Sequence, residues 1–200
     1  MVRRANLYGR RLVIFVKAPE LGRVKTRLAK DLGPSVATSW YRTNCRRIID
    51  RLSRDRRWQT YLAVTPDRAD RTNAWPGVWP PSVPRIAQGG GDLGAKMSRI
   101  FQWFPPGPVV IVGSDIPGIE PHHVSRAFEA LGRTDAVIGP SSDGGYWLIG
   151  LKRRGPLPLD DVRWSTEFAL EDTKRNLQGR RVAFLTTLDD VDTSADLARI

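Results

Sequence analysis

Asp115 has the plainest chemical setting in the chain, because it follows the run Val109-Val110-Ile111-Val112 and stands within Gly113-Ser114-Asp115-Ile116-Pro117. A run that is apolar on both faces predicts a central strand covered on each side, and sheets of that kind collect ligands at the carboxyl ends of their strands. A carboxylate at such a tip can hold a hard cation, or it can cap a turn before Ile-Pro. A second cluster is Lys17-Ala18-Pro19-Glu20-Leu21-Gly22-Arg23-Val24-Lys25-Thr26-Arg27, which follows another apolar run. Gly22 lets backbone N–H groups approach phosphate oxygens, a helix start adds a positive end, and Lys17, Lys25, Thr26 and Arg27 supply polar and charged donors. The first glycine and the Gly-Lys-Thr register of a Walker A loop are absent. A polyphosphate site is expected here, the alternative being a surface loop on a basic protein.

Gly89-Gly90-Gly91-Asp92-Leu93-Gly94 matches G-x-G-x-x-G, with Asp115 standing as the downstream acid of a dinucleotide fold. The run before it is broken by Pro84, a poor central strand, so the match is set aside and no use of NAD or FAD is expected. Asp92 is read as a helix N-cap, or else Gln88 reads a base edge while the backbone of Gly91 and Gly94, together with Lys96, approaches a ligand. Asp143-Gly144-Gly145-Tyr146 is either a wall closely approached by substrate or a tight hairpin turn. Trp164-Ser165-Thr166 precedes a helix that a hydroxyl can cap. Asp192, in Asp189-Asp190-Val191-Asp192-Thr193, either caps the last helix or joins Asp115 on a cation. His122 and His123 are adjacent, so on a helix they point about 100° apart and do not share a metal.

These residues need elements to position them, and the chain alternates short β-rich runs with helical stretches. Strands are expected at Arg11 to Val16, Thr60 to Thr65, Ile86 to Gln88, Val109 to Val112, Ala136 to Gly139, Tyr146 to Leu151 and Val182 to Thr187. Helices are expected over Thr26 to Arg57 with a break at Gly33-Pro34, Leu93 to Trp103, Pro121 to Leu131 and Thr166 to Leu177. In the first of these, Val36, Trp40, Ile48, Ile49 and Leu52 point inward. The prolines and glycines between Trp75 and Pro84 forbid regular structure. The pattern is that of an α/β sandwich; the two strands flanking Asp143 are too close for a helical crossover, so the mostly parallel sheet is mixed.

Two hundred residues with 40% hydrophobic content suit one domain, residues 1–200. The formal charge of +11 favours acidic partners such as nucleotides and phosphorylated metabolites. A nucleic-acid-binding module ranks below these, since the basic residues are scattered over helices without an aromatic platform. The single cysteine, Cys45, excludes an internal disulfide and a cysteine-rich zinc site. The basic start MVRRANLYGRR leads into an apolar run shorter than a signal-peptide core, and no stretch is long enough to span a membrane, so a soluble cytoplasmic protein is expected.

Taken together and in order, the blocks Lys17 to Leu28, Gly91 to Met97, Gly113 to Pro117, Asp143 to Leu151, Trp164 to Thr166 and Asp190 to Thr193 resemble the DUF2064 family, the transferase 1-like proteins associated with radical-SAM and selenium domains. The resemblance implies a three-layer α/β/α sandwich of GT-A or Rossmann-like type in the nucleotide-diphospho-sugar transferase superfamily, related to the molybdenum-cofactor and phospholactate nucleotidyltransferases. It implies that Gly22, Lys25 and Arg27 hold donor phosphates and that Asp115 with Asp192 holds Mg²⁺ or Mn²⁺. Lys96 stands where many relatives carry arginine, which replaces a bidentate fork by a point charge. The combined expectation is a metal-dependent transferase with a nucleotide or nucleotide-sugar donor and a small-molecule acceptor. It acts by glycosyl transfer or, alternatively, by nucleotidyl transfer from a triphosphate. Asp115, Lys25 and Asp143 are the expected catalytic residues. Lys17, Gly22, Lys25, Thr26, Arg27, Gln88, Gly91, Asp92, Gly94 and Lys96 are expected at the donor, and Gly144, Gly145, Tyr146, Trp164, Ser165 and Thr166 at the acceptor.

Overall fold

The β-branched and aliphatic runs form one seven-stranded sheet in the order β3-β2-β1-β4-β6-β5-β7. The computed structural model describes residues 9–70, 75–153, 159 and 161–199, so the first eight residues of the basic N-terminal stretch lie outside it. The strands are β1 (Arg11–Lys17), β2 (Gln59–Thr65), β3 (Arg85–Ala87), β4 (Val109–Val112), β5 (Ala136–Pro140), β6 (Tyr146–Leu151) and β7 (Val182–Phe184). Strand β6 runs antiparallel to both of its neighbours, β4 and β5, and every other pairing is parallel. This is the expected mixed sheet. The third strand is displaced by one residue, so that Gln88 falls just past β3, and the last strand is shorter than expected, ending at Phe184 with a further backbone bond from the Leu185 N–H to the Ile138 carbonyl.

The helices are α1 (Thr26–Leu32), α2 (Pro34–Ser53), α3 (Leu93–Trp103), α4 (Pro121–Leu131), α5 (Ala169–Asn176) and the short α6 (Ser194–Leu197). Helix α2 starts with Pro34 behind Gly33, where a missing N–H costs nothing, and buries Tyr41, Cys45, Ile48, Ile49 and Leu52 at helical spacing. Val36, expected inward, is 52% exposed; in this turn the buried positions are Ala37 and Thr38 instead. Helices α2 and α4 pack on Leu12, Ile14, Leu62, Val110 and Val112 of one sheet face. Helices α3 and α5 cover Val13, Ala63, Ile111, Ile138 and Ile149 on the other. The result is three layers, α/β/α, with all four residues of β4 buried between helices on both sides.

Strand β6 breaks its alternation at a bulge opposite Gly139 and Pro140. Trp147 and Leu148 consequently join the same core, while Tyr146 turns to the other face. Gly139 lacks the side chain that would collide with the Trp147 indole lying over it, and the Trp147 N–H donates to the Thr186 carbonyl at 3.1 Å.

Candidate active site

A cleft of about 470 Å³ opens at the carboxyl ends of β1 and β4. Its walls include Lys17, Lys25, Thr26, Arg27, Gln88, Asp115 and Asp192, seven of the residues singled out in the sequence. Asp115 reaches it because the corner after β4 is held from behind by α2. The buried Tyr41 hydroxyl accepts the Lys17 N–H at 2.9 Å and lies 3.2 Å from the Ser114 hydroxyl, and the Asn44 amide donates to the Ser114 carbonyl at 3.3 Å. Neither Tyr41 nor Asn44 was identified from sequence, where both read as ordinary helix positions.

The C-terminal segment brings the other carboxylates. After β7 the Leu188 N–H donates to the Pro140 carbonyl, and the Val191 N–H donates to the Asp115 carbonyl at 3.2 Å. Asp189 turns outward and accepts from the Ser142 backbone N–H and hydroxyl, so Asp190 and Asp192 flank Val191 beside Asp115. One oxygen from each of Asp115, Asp190 and Asp192 lies within 4.8 Å of the others. Asp190 is the member that sequence reasoning missed; its signal was the alternation of Asp190 and Asp192 on one side of an extended segment. Asp192 stands beside Asp115 rather than capping α6, and the cap falls to Thr193, whose side chain accepts the Asp196 N–H.

Lys25 lies among these carboxylates. Its ammonium donates to Asp115 Oδ2 and Asp192 Oδ1, each at 2.7 Å, and its side chain is 6% exposed. Burial alone would lower the lysine pKa, but the two carboxylates outweigh it and hold it above the ordinary value. Arg27 donates to the second oxygen of Asp192 at 3.0 Å. Asp190 is pushed up to about 6, first by burial and then by Asp115 and Asp192, with Lys25 opposing and Asp143 adding to the rise. Lys25 is thus paired with carboxylates here, rather than standing free for phosphate as the loop alone suggested.

The remaining donor residues divide. Gln88 lies at the cleft but is buried, and its amide N–H₂ is spent on the carbonyls of Val16 (3.2 Å) and Ala63 (2.8 Å), which is unlike a free base reader. Asp92 caps α3 by accepting the Ala95 N–H at 2.8 Å. Gly22, Gly91, Gly94 and Lys96 do not line the cleft. Arg99, unremarked in the sequence, braces the glycine loop through the carbonyls of Gln88 and Gly90.

The expected acceptor residues form a group of their own. Asp143 accepts the Gly145 N–H at 2.9 Å in the turn between β5 and β6. Gly144 adopts φ +83 with the Glu167 backbone pressed where a side chain would stand, a position open only to glycine. Its carbonyl accepts the Leu170 N–H at 2.9 Å, which docks the start of α5 on the turn. Tyr146 meets Trp164 edge to face at 6.4 Å, and Trp164 in turn packs on Gly94 of α3. Helix α5 starts at Ala169 rather than Thr166, because Ser165 has φ +61 and the Thr166 hydroxyl is occupied with the Arg163 carbonyl at 2.7 Å. At α4, His123 lies in the first turn, where its Nδ1 accepts the Glu120 N–H, as expected for a helix start.

Residues 48–166 match the family described as "Uncharacterized protein conserved in bacteria (DUF2064)". Among solved structures, a Desulfovibrio desulfuricans G20 protein that bears the provisional name of nucleotide-diphospho-sugar transferase is 32% identical, with a TM-score of 0.86 over 95% of this chain and 85% of that one. The 4-diphosphocytidyl-2C-methyl-D-erythritol synthase of Anaerococcus prevotii has a TM-score of 0.61 at 11% identity, covering 97% of each chain. A CMP:2-keto-3-deoxy-manno-octonic acid synthetase solved with CTP has a TM-score of 0.58 at 12% identity, covering 96% of each. At those identities the last two are similar to this chain in fold. No curated protein matches it in sequence. Among the described residues, no helix is long and apolar enough to cross a membrane.

Proposed function

Since this chain belongs to the DUF2064 family, we propose that it is a transferase using a nucleotide-activated donor, and that its reaction is glycosyl transfer from a nucleotide sugar to a small hydroxylated acceptor. The observation that carries this reading is the meeting of Asp115, Asp190 and Asp192 at the mouth of a cleft lined by the cationic loop after β1. The 32%-identical relative bears a nucleotide-diphospho-sugar transferase name, which supports the same donor class.

Three carboxylate oxygens within 4.8 Å of one another fit Mg²⁺ or Mn²⁺, which prefer hard oxygen ligands. A divalent ion held by these three residues supplies neutralisation of diphosphate charge. Lys17, Thr26 and Arg27 orient the diphosphate in the cleft through charge-assisted and hydroxyl hydrogen bonds. The acceptor oxygen forms its bond to the anomeric carbon as the bond from that carbon to the diphosphate breaks, and the electron pair leaves with the nucleoside diphosphate. Asp143, exposed in the β5–β6 turn and near enough to raise the Asp190 pKa, takes the proton released by the acceptor. The wall of Gly144, Gly145, Tyr146, Trp164, Ser165 and Thr166 holds the acceptor. A second reading, nucleotidyl transfer with release of pyrophosphate, draws support from Arg23, Thr26 and Arg27, which line the cleft together and offer donors to a longer phosphate chain.

Thermal shifts with nucleotide sugars and nucleoside triphosphates, each with and without Mn²⁺, test the proposal, because bound ligand raises stability with the logarithm of occupancy. A Mn²⁺-dependent rise with a nucleotide sugar, lost in Asp115→Asn, is expected. A rise with triphosphates alone transfers the assignment to nucleotidyl transfer, and no rise with either class refutes a nucleotide-activated donor.

A further inference from the structure

Lys25 occupies the space between two of the oxygens that a divalent ion would need. Its ammonium is 2.7 Å from Asp115 Oδ2 and 2.7 Å from Asp192 Oδ1, and only 6% of the side chain reaches solvent. The residue reaches there from an unusual backbone: Lys25 has φ +46 and ψ +51 and forms the N-cap position of α1 without a side-chain cap. A lysine rarely adopts that conformation, and here it coincides with two short ion pairs made by the same side chain. Arg27, two residues on, touches the outer oxygen of the same Asp192 but is 61% exposed, so it screens the site without filling it.

We propose that Lys25 is a tethered counter-ion that keeps the carboxylate site closed and gives it up when a divalent cation and the donor arrive together. The inference rests on the functional reading above and adds how that site is regulated. A divalent ion at Asp115, Asp190 and Asp192 and the Lys25 ammonium compete for the same two oxygens. A freed ammonium at the helix start faces the cleft, where a donor diphosphate offers new partners. Metal alone therefore binds against the cost of an unpartnered, desolvated ammonium. Metal with donor does not, and the two affinities rise together, each by the same factor. The state with the lysine displaced is the competent one, and apparent affinity for metal alone is reduced by its scarcity.

Isothermal titration of Mn²⁺ alone into the wild type, Lys25→Met and Arg27→Ala tests this without any turnover. If the displaced state is a tenth of the population or less, Lys25→Met binds Mn²⁺ at least about tenfold more tightly than the wild type. Arg27→Ala, which removes a charge of the same sign from the rim, changes affinity less than about threefold, since exposed pairs contribute little. A wild-type measurement covers the case of a variant that does not fold. In the wild type, the Lys25 ammonium exchanges carboxylate for phosphate partners, so its side-chain ¹⁵N resonance moves when Mg²⁺ and a nucleoside diphosphate are both at saturation and stays in place with Mg²⁺ at low occupancy. Equal or weaker Mn²⁺ binding by folded Lys25→Met, similar gains in both variants, or a Lys25 resonance unmoved at saturation would overturn the lock while leaving the transferase reading intact. Absence of Mn²⁺ binding by every form sinks the lock and the metal site together.

Discussion

Asp190 is held at a pKa of about 6 by burial and then by Asp115 and Asp192, with Asp143 adding to the rise and Lys25 opposing it. A carboxyl raised in the folded state above its unfolded value stabilises the fold at low pH. That contribution is complete below the ordinary carboxylate pKa near 4 and is lost as the pH climbs through about 6. In chelator, the metal-free wild type should therefore lose stability relative to Asp190→Asn as pH rises from about 4 to 7. Melting curves of the two proteins across that range check it; parallel slopes contradict the assignment. Asp115 was legible in the sequence because a β-branched run and a following Gly-Ser-Asp announce a strand tip. Asp190 was not, because only the register of an irregular segment decides that Asp189 turns to Ser142 while its neighbour turns inward. Lys25 was recognised as chemically important but given phosphate as its partner, since nothing local reveals carboxylates 90 and 167 residues away.

The turn between β5 and β6 shows how an element sets the site's second wall. Gly144 takes φ +83 against the Glu167 backbone, and its carbonyl accepts the Leu170 N–H in the first turn of α5. Gly144→Ala brings a methyl group into that backbone and should destabilise the protein by about 2 kcal/mol or more, seen as a lower urea midpoint at unchanged slope. A midpoint within error of the wild type would mean that the turn and α5 are not docked in this way. The strands and long helices were readable from periodicity. The start of α5 was not, because Ser165 and Thr166 carry the composition of a cap while their hydroxyl and backbone serve a turn. The bulge in β6 was equally hidden: period-two alternation predicts that Trp147 and Leu148 face apart, and only the open surface of Gly139 lets both face one way.

Across the whole molecule, a single sheet carries both helical layers and Leu12, Ile14 and Leu62 lie fully buried beneath α2. We propose on that basis that the chain unfolds as one unit. Calorimetry should give one transition with equal calorimetric and van't Hoff enthalpies, and Leu62→Ala should lower stability by about 2–5 kcal/mol without splitting it. Two separated transitions would divide the chain into independent parts. The position of β6 also governs how the protein is made. Strands β1 to β4 can pair as soon as they are synthesised, but β4 finds its second neighbour only when β6 emerges about 40 residues later. At translation speeds of about 5–20 residues per second, the nascent chain presents the apolar edge Val109–Val112 to solvent or to a chaperone for roughly 2–8 s. The stretch that ends in the Asp115 corner is thus the one at which an unfinished chain is open to edge-to-edge aggregation, and codon changes that slow elongation between β4 and β6 would lengthen that exposure.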